Sequence, residues 1–162
     1  MLYGNTEKID VTPCLGTLIN GEFTSRYATK IADPLFARGI YLHDGQNKVL
    51  IIVVDICVMK REFLDPVKQS IFNLTGIPPS NQLISSTHAH STGSVADLLL
   101  TPVDISYREL LAKKLLELAQ IMAAKEEPIQ IAFGKAFKPE HLTSRRYKMR
   151  ESYTPWNPVL KT

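Results

Sequence analysis

Cysteine is scarce in this sequence, which has only Cys14 and Cys57 among its 162 residues. Two thiols form at most one disulfide and cannot make a thiolate zinc site by themselves, which excludes a disulfide-stapled scaffold. Long apolar runs are also missing, because the longest, residues 49–54, is far below the roughly 20 residues of a membrane-spanning helix. The first residues lack the basic and apolar pattern of a signal peptide. We therefore expect a soluble protein, cytoplasmic if Met1 is the true start.

A large excess of one charge is absent as well. Nineteen Lys and Arg oppose sixteen Asp and Glu, and the net charge is +3. The charges are scattered apart from a basic cluster at residues 144–150, for which a solvated surface loop is a simpler interpretation than a phosphate-binding site. We predict no nucleic-acid partner. With 44% hydrophobic residues, the composition is that of one globular domain with a substantial core.

Apolar patterns predict strands that alternate with helices. Residues 48–54, within the stretch KVLIIVVDICV, form a strand that is apolar on both faces, as expected if helices cover both sides. A connection at residues 15–34 is long enough to suggest that it serves a site. The order of elements predicts an α/β fold with a mixed, mainly parallel sheet flanked by helices. We expect strands at residues 35–44, 48–54, 83–87 and 129–133, a short strand closed by Pro13, and helices at 60–74 and 106–124.

Two of the four histidines stand one residue apart in the sequence STHAHSTGS. If residues 83–87 form a strand, its alternation places His88 and His90 on the same side and turns Ala89 away. Two imidazoles at the end of a strand can converge on one metal ion or one reacting group. Histidines satisfied by ordinary hydrogen bonds are the other interpretation. The neighbouring hydroxyls and Gly93 favour a site, because α/β proteins place their sites on loops that follow apolar strands.

Several short motifs occur in an order that resembles a known family. They are IDVTPCLG, NGEF, DPLFAR, VLIIVVDICV, LISSTHAHSTGS and SRRYKM, and they span nearly the whole chain. Together they resemble the N-terminal catalytic domain of the neutral/alkaline, non-lysosomal ceramidase family, whose hallmark is a strand that ends in Thr-His-x-His-Ser-Gly or a close variant. The resemblance implies a zinc-dependent hydrolase that cleaves the amide bond of ceramide or a related N-acyl compound. A small lipid or N-acyl substrate would then be its partner.

The resemblance also implies site residues. His88 would bind the zinc ion, and His90 would lie beside the metal and help to orient water or substrate. Gly21 would match the glycine whose backbone amide lies near the developing oxyanion, and Arg145 would match the arginine of the family's Asn-Arg pair. We expect these four residues and Asp55 to converge on one cleft.

The ligand count indicates that the site is not complete in this chain. A catalytic zinc ion usually has three protein ligands, and the resemblance assigns only His88 here. The remaining ligands, a histidine, a glutamate and a tyrosine in the family, are expected downstream of residue 162. We therefore expect residues 1–162 to be a single domain or the N-terminal part of a larger, ceramidase-like catalytic domain. The chain departs from the family pattern at Thr92, which precedes Gly93, and at Ser144, which stands in place of asparagine.

Two other interpretations stay open. Metal phosphoesterases of the polymerase and histidinol phosphatase type, and the amidohydrolase barrels, also use His-x-His at the end of a strand. Their pair normally belongs to the first strand of a barrel, whereas about three predicted strands precede it here. The other alternative is a non-catalytic fragment or binding domain with structural histidines. His43 and His141 fall outside the matching motifs and are interpreted as ordinary polar residues.

Overall fold

The computed structural model describes residues 1–141 of the chain. They form two sheets, the larger with the strand order β6-β5-β4-β1-β8 and the smaller with the order β3-β2-β7. In chain order, the elements are β1 (Tyr3–Asp10), β2 (Leu18–Asn20), β3 (Arg26–Tyr27), β4 (Phe36–His43), β5 (Lys48–Val54), α1 (Arg61–Thr75), β6 (Gln82–Ser86), β7 (Thr92–Gly93), α2 (Ile105–Ala124) and β8 (Glu127–Pro128).

The main sheet is largely antiparallel. β1 pairs antiparallel with both β4 and β8, β4 pairs antiparallel with β5, and the pair β5–β6 is parallel. The connection between β4 and β5 is a tight turn, which can join only antiparallel strands, whereas α1 provides the crossover that returns β6 parallel to β5. The prediction of a mixed α/β sheet with flanking helices is confirmed. The prediction that the sheet is mainly parallel is wrong, because one helical crossover supplies one parallel pair.

One face of the main sheet carries the core. In β5, Leu50, Ile52 and Val54 are completely buried, and α2 packs on the neighbouring β1 and β4 while α1 packs on α2. The other face of the sheet bears apolar side chains that are exposed within residues 1–141, such as Val53 and Leu83. The prediction that helices cover both faces of β5 is therefore wrong for the described part of the chain.

Both predicted helices are present, and local signals set their ends. Gly76, with a φ of 71°, ends α1 by donating its amide to the Phe72 carbonyl. Asp104 begins α2, because its carboxylate accepts the Tyr107 amide at 3.0 Å. The same carboxylate accepts the Leu18 amide of β2 at 3.0 Å, so this helix cap also holds the small sheet. The helices bury Phe63, Val67, Ile71, Leu111, Leu115, Leu118 and Met122.

The strand predicted at residues 129–133 is not formed. Within the described residues, the chain after α2 forms the short β8, opposite Tyr3 and Gly4 of β1, and the Ile129 amide donates to the Leu2 carbonyl at 3.0 Å. Pro128 stands opposite Tyr3 and has no amide hydrogen for a ladder bond, which disfavours a longer strand at this position.

The chain divides into two compact units. The unit Met1–Gln130 contains both sheets and both long helices. The second unit begins at Ile131, and its described residues contain a single short 3-10 turn, Pro139–His141. Within residues 1–141, no helix combines the length and the apolar character that crossing a bilayer requires.

The long connection at residues 15–34 contains regular structure. Its two short strands, β2 and β3, pair with each other, and β2 also pairs with β7, which directly follows the histidine pair. The small sheet therefore joins this connection to the segment that carries His88 and His90.

Candidate metal site

The histidine pair lies in the loop that follows β6. The strand ends at Ser86, and His88 has a φ of 63°, in the left-handed region that few residues other than glycine adopt. The last hydrogen bond between β5 and this segment runs from the Thr87 amide to the Val54 carbonyl, at 2.9 Å. Because β5 ends at Val54, the chain has no further strand to pair with and turns here. The predicted alternation of a continuing strand is therefore wrong, and the turn brings the two rings together instead.

The two imidazoles approach each other through their Nε2 atoms. The distance between the Nε2 atoms of His88 and His90 is 3.3 Å, and the ring planes are nearly perpendicular, at 84°. Nδ1 of His88 lies 2.9 Å from the Cys57 carbonyl oxygen. A carbonyl oxygen only accepts hydrogen bonds, so Nδ1 carries the proton and Nε2 presents its lone pair. Backbone carbonyls of this kind commonly orient metal-binding histidines.

The spacing of the pair suits zinc. A tetrahedral zinc ion with Zn–N bonds of about 2.0–2.1 Å holds two nitrogen ligands about 3.3–3.4 Å apart. The observed separation of 3.3 Å between the Nε2 atoms of His88 and His90 falls in that range. Both residues are exposed, so other ligands can approach from the solvent side. The pair can therefore provide two ligands of a zinc site.

Cys57 belongs to the same cluster, and its backbone contributes more than its thiol. Its Sγ atom and one nitrogen from each histidine lie within 4.8 Å of one another. The Sγ atom is, however, 4.0 Å from Nδ1 of His88, the nitrogen that the Cys57 carbonyl already holds. Burial raises the pKa of the thiol. We therefore assign Cys57 the role of orienting His88 through its carbonyl.

Thr92 connects the two loops that form the site. Its Oγ1 atom accepts the Cys57 amide at 3.1 Å and donates to the Ala89 carbonyl at 3.1 Å. The side chain is fully buried. Because β5 and β6 are parallel, both loops leave the same edge of the sheet, and Thr92 fixes one against the other. In the sequence, Thr92 is marked only as a departure from a family pattern, and its position close to the histidines is the available signal.

Gly21 lies directly against His90. It follows β2, whose last residue Asn20 stands opposite Thr92 of β7. Its φ is +106°, and a Cβ atom at this position would be 2.9 Å from the Cα, Cβ and Cγ atoms of His90. The structure thus brings Gly21, His88 and His90 together. The Gly21 amide donates to Asn20 Oδ1 at 2.6 Å, and its expected role near an oxyanion stays a prediction.

Asn20 is a buried polar residue that supports this arrangement. Its Nδ2 atom donates to Ser94 Oγ at 3.1 Å and to the Ala96 carbonyl at 2.7 Å. Its Oδ1 atom accepts the Gly21 amide. One side chain therefore fixes the end of β2 to the segment after β7.

We expect Asn20→Ala to lower the free energy of unfolding by about 1–3 kcal/mol, because buried groups lose their hydrogen-bond partner. Urea denaturation of the purified chain measures the change. Asn73→Ala is the control, since Asn73 is exposed on α1 and, in the described part of the chain, its side chain bonds only the side chain of Gln69. Equal losses of stability in the two variants would contradict the role assigned to Asn20.

The other two residues expected in the cleft are Arg145 and Asp55. Arg145 lies outside the described residues. Asp55, at the end of β5, accepts the Phe36 amide at 3.0 Å and forms an ion pair with Arg38 at 2.7 Å. The carboxylate of Asp55 therefore connects β5 to β4.

His43 lies at the opposite end of the sheet. It pairs with Lys48 at the start of β5, whereas the His88 loop meets the end of that strand. Its Nδ1 atom is 3.5 Å from the Glu126 carboxylate. These contacts agree with its interpretation as an ordinary polar residue. The side chain of His141 lies outside the described part of the structure.

Comparison with known proteins supports the fold. No protein-family model matches the chain, and no curated protein matches its sequence. Among solved structures, the chain is similar to neutral ceramidase from Pseudomonas aeruginosa, with a TM-score of 0.68 and 14% identity over 78% of this chain and 22% of that chain. It is also similar to a ceramidase complexed with C2, with a TM-score of 0.62, 16% identity and the same coverage. The fold is therefore ceramidase-like, and the chain spans 22% of the length of these proteins.

Proposed function

We propose that this chain carries the histidine-pair part of a zinc-dependent hydrolase site of the neutral ceramidase type. The observation that carries the proposal is the 3.3 Å approach of the Nε2 atoms of His88 and His90, with Nδ1 of His88 held by the Cys57 carbonyl. The ceramidase-like fold supports the same assignment. The proposed substrate is a ceramide or a related N-acyl compound.

The residues of the chain have separate roles in this proposal. When bound, zinc lowers the pKa of water to about 7 and polarises a carbonyl group. His88 offers one ligand through Nε2. His90, on the open side of the pair, contacts the metal or holds the attacking water. Arg145 provides a rigid fork of donors for the substrate. Water adds to the amide carbon, the C–N bond breaks, and the amine leaves with a proton.

The proposal includes ligands beyond the pair. Two histidine nitrogens are fewer than the three protein ligands that catalytic zinc sites usually have. The family resemblance assigns the others to polypeptide downstream of residue 162. The chain by itself should therefore bind zinc weakly and should not hydrolyse amides.

Zinc titration of the purified, chelator-treated chain tests the first part of the proposal. We expect one zinc ion per chain with a dissociation constant above about 1 μM, because a site with two or three ligands is incomplete. Cys57→Ser should leave the affinity nearly unchanged, since the variant keeps the backbone carbonyl. A large loss of affinity in this variant would show that the thiol is a ligand. Failure of the unaltered chain to bind zinc at all would argue for the non-catalytic interpretation.

Hydrolysis assays on the protein isolated from its native host, at whatever length the cell makes it, test the second part. A fluorescent N-acyl sphingosine should be cleaved to fatty acid and amine, with activity lost on chelation and restored by zinc. A phosphodiester substrate serves as the comparison, because a metal phosphoesterase would cleave it instead. Zinc-dependent cleavage of the phosphodiester alone would refute the ceramidase-type proposal.

A further inference from the structure

Arg26 extends from β3 to the histidine loop. Its Nη2 atom donates to the His90 carbonyl oxygen at 2.6 Å and lies 3.5 Å from Ser91 Oγ. The same atom is 3.2 Å from the carboxylate of Glu22, which follows Gly21 in the chain. The arginine therefore connects the segment after β2 to the backbone of the second histidine.

The pairing of the small sheet explains why a long side chain is needed here. Arg26 of β3 and Gly93 of β7 both stand opposite Ile19 of β2, on its two sides. The backbones of β3 and β7 are therefore two strand spacings apart, about 10 Å. An arginine spans much of that distance and still presents a planar group with several donors.

We propose that Arg26 is a positioning residue that fixes His90 and, through it, the spacing of the two imidazoles. The inference rests on the proposed metal role of the pair. A hydrogen bond from a charged donor is about twice as strong as one between neutral groups, so the His90 carbonyl is held firmly. Gly21 confines the imidazole of His90 from another direction, because a Cβ atom at position 21 would lie 2.9 Å from atoms of His90. His90 is thus held at its backbone and confined at its side chain.

An ordinary surface ion pair is the competing explanation. The side chains of Arg26 and Glu22 are 39% and 52% exposed, and pairs of this kind contribute little to stability. If the contact with Glu22 were the purpose of the arginine, Glu22→Gln would reproduce the effect of replacing Arg26. If the contact with the His90 carbonyl is the purpose, Glu22→Gln leaves the pair of imidazoles in place.

The first test uses the metal-free chain, so that it does not depend on zinc binding. Arg26→Gln should shift the ring resonances of His90 in long-range ¹H–¹⁵N spectra and leave those of His43 in place. Arg26→Lys should give a smaller shift, because an ammonium group can still donate to the carbonyl, and it replaces the Gln variant if that variant does not fold. Unchanged His90 resonances in the folded variants would overturn the proposal.

The second test measures zinc affinity. Arg26→Gln should weaken binding about tenfold, as is usual when a residue of a metal site loses a supporting partner. Glu22→Gln and Arg38→Gln are matched controls, the latter because it removes an arginine from the separate ion pair with Asp55, and both should stay within about twofold. In a His90→Asn background, Arg26→Gln should have no further effect.

The outcomes separate this proposal from the proposed function. A tenfold loss that persists in the His90→Asn background would show that Arg26 acts elsewhere, and it would overturn the positioning role. An unaltered chain that binds no zinc would defeat the proposed function, while the metal-free spectra would still decide whether Arg26 fixes His90.

Discussion

His88→Asn should weaken zinc binding by the chain at least about 100-fold, because it removes the Nε2 ligand of a ring that the Cys57 carbonyl orients through Nδ1. Asparagine is the suitable replacement, since it tolerates the left-handed φ of 63° at this position better than alanine does. In the native-length protein, the same change should reduce amide hydrolysis to background. Calorimetric titration, metal content and the fluorescent N-acyl sphingosine assay measure these effects.

His90→Asn should have a smaller effect on zinc affinity, a loss of about 10-fold to 100-fold, because its proposed role is beside the metal. Turnover in the native-length protein should also fall. His43→Asn is the matched control, since His43 ends β4 opposite Lys48, far from the end of β5 that meets the His88 loop, and the change should leave both quantities unchanged. If His43→Asn and His88→Asn weaken zinc binding equally, the metal does not bind at the pair.

Gly21→Ala should displace His90 and weaken zinc binding at least about tenfold. The added Cβ atom would lie 2.9 Å from three atoms of His90, which is closer than carbon atoms normally approach. The backbone also has a φ of +106°, which costs about 1–2 kcal/mol for an alanine. Thermal unfolding and zinc titration of the same preparation separate these two effects.

Gly45→Ala is the matched control for this substitution. Gly45 has a φ of +102°, close to that of Gly21, but a Cβ atom there would have no neighbour within 4 Å among residues 1–141. Both variants should lose similar stability from the backbone, and only Gly21→Ala should lose zinc affinity. Equal zinc affinities in the two variants would refute the steric role of Gly21.

The sequence was informative where local patterns determine structure. The apolar residues of α1 and α2 recur at helical spacing, and both helices form within about one residue of their predicted bounds. β4 and β5 were visible as apolar runs around a short turn. Strand direction and the coverage of the second face depend on contacts between distant segments. Local patterns do not reveal these contacts, and the predictions of a mainly parallel sheet and of helices on both faces of β5 were therefore wrong for residues 1–141.

The small sheet could not be predicted because its strands are too short to show a period. β3 and β7 each contain two residues, and β2 contains three. Their pairing nevertheless decides which residues surround the histidines.

The parts of the site differ in how visible they are in a sequence. His88 and His90 were identifiable because imidazoles are chemically distinctive and stand close together. The carbonyl of Cys57 was not identifiable, since every residue has a carbonyl and the side chain gives no sign of its use. Arg26 resembled any exposed arginine until the structure placed it against the His90 carbonyl. Gly21 was found only through the family resemblance, and its steric role emerged from the geometry.

The small sheet also has a consequence for the order in which the molecule assembles and opens. Its strands β2 and β7 are far apart in sequence and share only two residue pairs, Ile19 with Gly93 and Asn20 with Thr92. Closing so long a chain segment costs entropy that these few contacts recover only after the main sheet and its helices are in place. Regions with few cooperative contacts are also the first to open in native-state fluctuations. The imidazole pair can therefore lose its geometry while the core stays folded, and a substitution can disable the site without lowering the melting temperature.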